Sequence, residues 1–129
     1  MDETSIDDAD VRAEVRAAFD AYEAALMAND VAALNALFWR DARTVRFGPG
    51  DARYGHAAIA AFRRGRDTTD LARRLERVHI VSFGRDCAVA FAEYRRTGSG
   101  RGGQQSQTWV RFGDGWRIVA AHVSLEPPR

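Results

Sequence analysis

Apolar positions along this chain follow two periods. Val11, Val15, Ala18, Phe19, Tyr22 and Leu26 recur at three- and four-residue spacing, with Arg12, Glu14, Arg16 and Glu23 mostly on the other side. That is an amphipathic helix with one face turned to a core. Asp7 and Asp8 offer an N-cap and suit the positive end of the helix dipole. Asn29-Asp30 ends this helix and caps a short second one edged by Leu34, Leu37 and Phe38. Residues 43–47 alternate polar and apolar, a strand stopped by Gly48-Pro49-Gly50. Residues 56–64 are helical again. Residues 75–83, 87–97, 104–112 and 116–125 then read as strands. They are separated by Gly84-Arg85-Asp86, a glycine-rich loop over 97–103, and the hairpin turn Gly113-Asp114-Gly115.

Helices first and an antiparallel meander last define an α+β class. The predicted shape is a cone, a curled antiparallel sheet wrapped around the long N-terminal helix, open at one end. Such cones hold ligands between helix and sheet. At 129 residues the chain has the size of one domain, residues 1–129, with an ordered core over about 8–125. The first six residues and the run Glu126-Pro127-Pro128-Arg129 read as loose ends. Nineteen basic against eighteen acidic residues argue against a nucleic-acid partner, which would demand a basic excess. No apolar run approaches the ~20 residues of a membrane span, and the start is acidic where a leader is basic, so a cytoplasmic chain without a membrane partner is expected. Cys87 is the single cysteine, which excludes an internal disulfide, and the histidines form no close pair for zinc. Every basic residue is arginine, so lysine-based Schiff-base chemistry is excluded.

Tyr22 lies mid-stripe on the first helix. It is either a core tyrosine with a buried partner or a proton donor at the floor of a cavity. Arg46 alternates with Val45 and Phe47 and leaves the strand on the opposite face, as a solvated cation or as a two-donor clamp for a carboxylate. Gln105, Gln107 and Trp109 share one face, and a regular hairpin sets Val119, Ala121 and Val123 opposite them. Gln107 could donate to a carboxylate or accept from a urea N–H. The same regularity puts His122 on the other face with Ser106, Thr108, Val110 and Ile118, unless a bulge flips it. That outer face, with Val110, Phe112 and Ile118, predicts a homodimer through the sheets. Trp39 either seals the core or floors the cavity. Tyr94 shares its face with Ala88, Ala90 and Ala92, whose small side chains would leave room for a ligand. No carboxylate is clearly placed in the cavity as a base.

Four segments carry a resemblance: Tyr22-Glu23-Ala24-Ala25-Leu26, residues 30–39 (DVAALNALFW), Thr44-Val45-Arg46-Phe47-Gly48, and residues 105–124 (QSQTWVRFGDGWRIVAAHVS). The topology resembles the nuclear-transport-factor-2-like (SnoaL-like) fold. The segments resemble, over about residues 9–125, the proteins of oxalurate catabolism and their cyanuric-acid-pathway relative, a 1,3-dicarboxyurea decarboxylase (the AtzH/HpxZ-like group). The resemblance implies a homodimer without metal or cofactor. It also implies a cavity-facing tyrosine and arginine, matched by Tyr22 and Arg46 as catalytic residues. Gln107, Gln105, Trp109, Trp39 and Tyr94 are the candidates for contact with substrate. The implied reaction is loss of carbon dioxide from a small carboxylated ureide in s-triazine or ureide nitrogen catabolism, with a pathway amidase as the neighbour to look for. The alternative is a non-catalytic small-anion-binding or assembly domain of the same fold.

Overall fold

The computed structural model describes residues 1–128. Helix α1 (Ala9–Met27) begins where the Asp8 carboxylate accepts from the backbone N–H groups of Asp10 and Val11. It buries Val11, Val15, Phe19, Tyr22 and Leu26 of the predicted stripe, with Ala18 partly buried, and adds Ala25 and Glu23 beside it. Large apolar side chains contribute about 1.5–3 kcal/mol each when fully buried, so this face anchors the helix. Helix α2 (Val31–Leu37) is capped by Asp30, and helix α3 (His56–Gly65) buries Ile59, Ala60 and Arg63. None of the described helices is long and apolar enough to cross a membrane.

Strands β1 (Val45–Gly48), β2 (Asp51–Tyr54), β3 (Arg73–Phe83), β4 (Cys87–Arg96), β5 (Gly102–Phe112) and β6 (Gly115–Leu125) form one sheet in the order β2-β1-β6-β5-β4-β3. The architecture is the expected α+β one, helices against a curled, unclosed sheet. One junction differs: β1 runs parallel to β6, so the sheet is mixed. The chain leaving α2 already bridges β6 in the parallel sense at Phe38 and Ile118, and β1 continues in that direction. On the inner face Ala88, Ala90 and Ala92 of β4 stand opposite Trp109, Gln107 and Gln105 of β5. A small residue across from each large one gives those long side chains room beneath α1.

The hairpin β5–β6 is not regular. Its register shifts between Thr108, paired with Ala120, and Trp109, paired with Ile118, which leaves Val119 as the extra residue of a bulge. Trp116 and Ile118 therefore face the core, against the expectation that put Ile118 outside, and Val119 does not share a face with Ala121 and Val123. His122 lies beyond the bulge and stays on the outer face, opposite Ser106 and with its ring 5.8 Å from Phe47.

Both ends of the expected core extend further. Ile6 pairs with Phe83, and the Asp7 carboxylate accepts from the Ser82 N–H, so the first residues are tied to β3. At the other end the Glu126 N–H donates to the Gly102 carbonyl; Arg129 lies outside the described residues. Gly102 and Gly103 belong to β5 rather than to a loop. The reason is a side chain that crosses them: the Tyr94 hydroxyl donates to the Ser124 carbonyl at 2.7 Å, over Gly103. A Cβ at Gly103 would overlap the Tyr94 ring and that carbonyl. Gly103→Ala is expected to cost about 1–3 kcal/mol in urea unfolding, the scale of overpacking; a variant with unchanged midpoint would show that Tyr94 can lie elsewhere.

Candidate anion site

Side chains from five elements converge between α1, α3 and the inner face of the sheet. Tyr22 comes from α1, Arg46 from β1, Arg63 from α3, Arg73 from β3, and Gln105 and Gln107 from β5; all are buried. Arg66, one residue past α3, joins them half-buried. Each guanidinium lies over an aromatic ring. Arg46 is 4.4 Å and Arg66 5.8 Å from the centroid of Phe62, Arg63 is 4.7 Å from that of Phe38, and Arg73 is 4.3 Å from that of Tyr94. A ring face attracts a cation without using its N–H donors. The arginines are thus oriented while much of their hydrogen-bonding capacity stays open.

Accounting for those donors defines the chemistry. Arg73 is spent: it pairs with Glu23, Nε to Oε2 at 3.1 Å with a second contact from Nη2 to Oε1, and Nη2 also donates to Gln105 Oε1 at 3.0 Å. The Trp109 indole donates to Gln107 Oε1 at 3.2 Å. Both glutamine carbonyls are therefore occupied by protein donors, and each amide keeps a buried NH2 group without a partner. Gln107 offers a donor and not the acceptor that a lone amide could equally have supplied. Unpaired and buried are Nη1 of Arg46, all three nitrogens of Arg63, Nε and Nη2 of Arg66, and Nε2 of both glutamines. A buried donor left without an acceptor costs about 1–3 kcal/mol, more when charged. Asp51 offsets little of this, lying 3.8 Å from Arg46 and also 3.4 Å from Arg53. Such a set of donors could take an acceptor-rich anion.

Gly48 explains how Arg46 reaches the site. Arg46 Nη1 lies 2.6 Å from where a Cβ on Gly48 would stand, so the glycine closing the Thr44–Gly48 segment leaves room for the guanidinium.

The charges act on Tyr22. Burial pushes its phenol up, but Arg63, Arg73 and Arg46 together outweigh burial and hold it below the ordinary tyrosine value. Burial lowers Arg46, and burial with the neighbouring Arg63 brings Arg66 down to about 10. Burial also works against the Arg73 cation, yet its bond to Glu23 and the nearby charges raise it. Burial raises Tyr94. Tyr22 is thus an acid made stronger by a field of cations.

The structure brings Tyr22, Arg46, Gln105 and Gln107 together, with Trp109 positioning Gln107. Tyr94 supports Arg73 and commits its hydroxyl to Ser124. Trp39 is not among this group: it stacks on Phe112 at 5.4 Å with Arg43 above it at 4.9 Å. Arg63, Arg66, Arg73 and Glu23 were not singled out by sequence reasoning. For Arg63 a signal existed, since it continues the buried Ile59–Ala60 stripe one turn on. No group of three or more His, Cys, Asp or Glu among the described residues could hold a metal ion.

The AtzH-like family model matches residues 4–128. A solved structure of a protein of the DUF3225 family from Pectobacterium atrosepticum SCRI1043 is 51% identical with a TM-score of 0.94, covering 98% of this chain and 99% of that one. A cystatin-like fold protein from Burkholderia xenovorans LB400 is 42% identical with a TM-score of 0.88, covering 95% and 98%. A nuclear-transport-factor-2-like protein from Pseudomonas putida KT2440 shares the fold at 20% identity and a TM-score of 0.80, covering 91% and 87%. No curated protein matches the sequence significantly.

Proposed function

Because this chain belongs to the AtzH-like family, we propose that it is a cofactor-independent decarboxylase of a small N-carboxylated urea such as 1,3-dicarboxyurea. The observation that carries this reading is the set of unpaired buried donors on Arg46, Arg63, Gln105 and Gln107 in the site that holds Tyr22. An N-carboxylate is lost when its N–C bond breaks, the bonding pair stays on nitrogen, and nitrogen takes up a proton. Charge never rests on carbon, so the chemistry needs no electron sink. Tyr22 gives that proton. The phenolate left behind is stabilised by Arg63, Arg73 and Arg46 until solvent reprotonates it. Arg46 holds the distal carboxylate with its planar fork, and the Gln107 NH2 donates to the ureido carbonyl. Much of the acceleration comes from positioning, since the bond already breaks in water.

The test is carbon dioxide release from 1,3-dicarboxyurea made in situ, with the spontaneous loss subtracted. The wild type should accelerate it. Arg46→Lys keeps the charge but loses the fork, and kcat/KM should fall by roughly five- to 150-fold, the equivalent of about 1–3 kcal/mol. A folded wild type that binds malonate without accelerating the reaction would leave only an anion-binding domain.

A further inference from the structure

Arg63 is the least compensated charge in the site. It is 1% exposed, and its Nε, Nη1 and Nη2 have no hydrogen-bond acceptor among the described residues. The ion pairs around it belong to others: Arg73 to Glu23, and Arg46 with Arg53 to Asp51. Its guanidinium lies on the Phe38 ring, a partner that takes no N–H. Phe38 in turn lies 6.4 Å from the Tyr22 ring, and Arg63 is the cation that acts most on that phenol. Arg63 thus approaches Tyr22 from the side of α3 across Phe38, while Arg46 enters from β1 and lies on a different ring, Phe62.

Two separately mounted guanidiniums with open donors are more than one carboxylate can satisfy. Among the described residues the carboxylates paired with Arg46, Arg53, Arg63, Arg66 and Arg73 are Glu23 and Asp51, so a monoanion would still leave the site strongly positive. The structure assigns Arg63 the role of a specificity-determining residue: it binds a second carboxylate and so makes the site discriminate dianions from otherwise similar monoanions. The assignment rests on the proposed carboxylated-urea reading for what the second carboxylate does. In decarboxylation that group leaves as neutral carbon dioxide, and the monoanionic product loses its hold on Arg63. An interaction made with the substrate and lost with the departing group strengthens substrate binding without holding the product, and does not speed the chemical step.

The probes are malonate and malonamate, nearly the same in shape but differing by one charge, titrated calorimetrically at about pH 7.5, where both malonate carboxylates are ionised. The wild type should bind malonate at least about tenfold more tightly than malonamate. In Arg63→Gln malonate should lose about tenfold or more while malonamate changes by less than about threefold, so the preference collapses. If that variant does not fold by circular dichroism, Arg63→Lys decides. Its single-point cation should weaken malonate about fivefold and spare malonamate. A folded variant that keeps the full preference overturns the assignment, as do equal losses for both ligands or a wild type that binds both alike or neither. Carbon dioxide release by the wild type judges the reaction separately. Arg63-dependent selectivity without turnover would uphold the assignment and remove the decarboxylase. Turnover without that selectivity would do the reverse.

Discussion

In Tyr22→Phe the release of carbon dioxide from a dicarboxylated urea falls by a factor on the order of 10²–10⁴, the contribution of a well-placed general acid. Malonate binding changes far less, because the arginines and glutamines that carry it are untouched. The fold stays intact, since the ring keeps its place against Phe38 and only the hydroxyl is removed. The pH profile makes the prediction specific. An acid must be protonated to act, so activity is lost as pH rises through its pKa. Arg63, Arg73 and Arg46 hold that value down, so the alkaline limb of kcat/KM begins below the ~10 of a free tyrosine. The residual activity of the variant has no such limb. Stability has the opposite sign: with the folded phenol below its unfolded value, Tyr22 stabilises the wild type over the variant only as pH climbs past the folded pKa, and contributes nothing this way at neutrality. Full activity in a folded Tyr22→Phe protein would end the proposed mechanism.

The largest expected loss of stability comes from Glu23→Gln. The carboxylate neutralises Arg73, joins α1 to β3, and lets Arg73 hold the Gln105 carbonyl. Both side chains are buried. Removing one charge strands the other in a low-dielectric interior, which typically costs about 3–5 kcal/mol. Urea unfolding should show it. Glu23→Met combined with Arg73→Met should recover much of the loss, because burying neither charge is cheaper than burying one. A wild-type midpoint for Glu23→Gln alone would mean that water or a neighbouring group shields Arg73.

Glu23 also shows where a sequence stops being readable. Helix α1 was legible because its buried positions are apolar at regular spacing, and strand alternation put Gln105 and Gln107 on the face of Trp109. For Arg46 alternation gave only a face opposite Val45 and Phe47, and it was the resemblance that implied an inward one. Periodicity assigns charged residues to solvent by default. Glu23 sits at the edge of the stripe, and the Arg73 that justifies its burial is fifty residues away in the chain. The unpaired state of Arg63 is likewise a property of the packed site, since no local pattern says that a guanidinium will find a ring and no carboxylate. The face of Ile118 was misread for a different reason. Alternation extrapolates through a bulge as if it were absent, and nothing in a run of small and β-branched residues marks where the extra residue falls.

That bulge has a bearing on how the chain can change length. The extra residue at Val119 lets β6 turn Trp116 and Ile118 inward before it and Ala121 and Val123 inward after it. It also sets which part of β6 meets β1, where Arg46 is registered beside Ala121 and Phe47 beside His122. Drawing Val119 into the ladder, with no change in length, would act like a frameshift written in space: holding Trp116 and Ile118 would set His122 opposite Gln105, bring its imidazole toward the anion site and turn Ala121 away from Arg46. Deleting Val119 would instead leave the pairings on both sides as they are, because the residue removed is the one without a partner. Insertions can be absorbed at the exposed Gly113-Asp114 turn, and a residue can be lost at the bulge; what the site needs between Ile118 and Ala120 is that no extra residue enters the ladder.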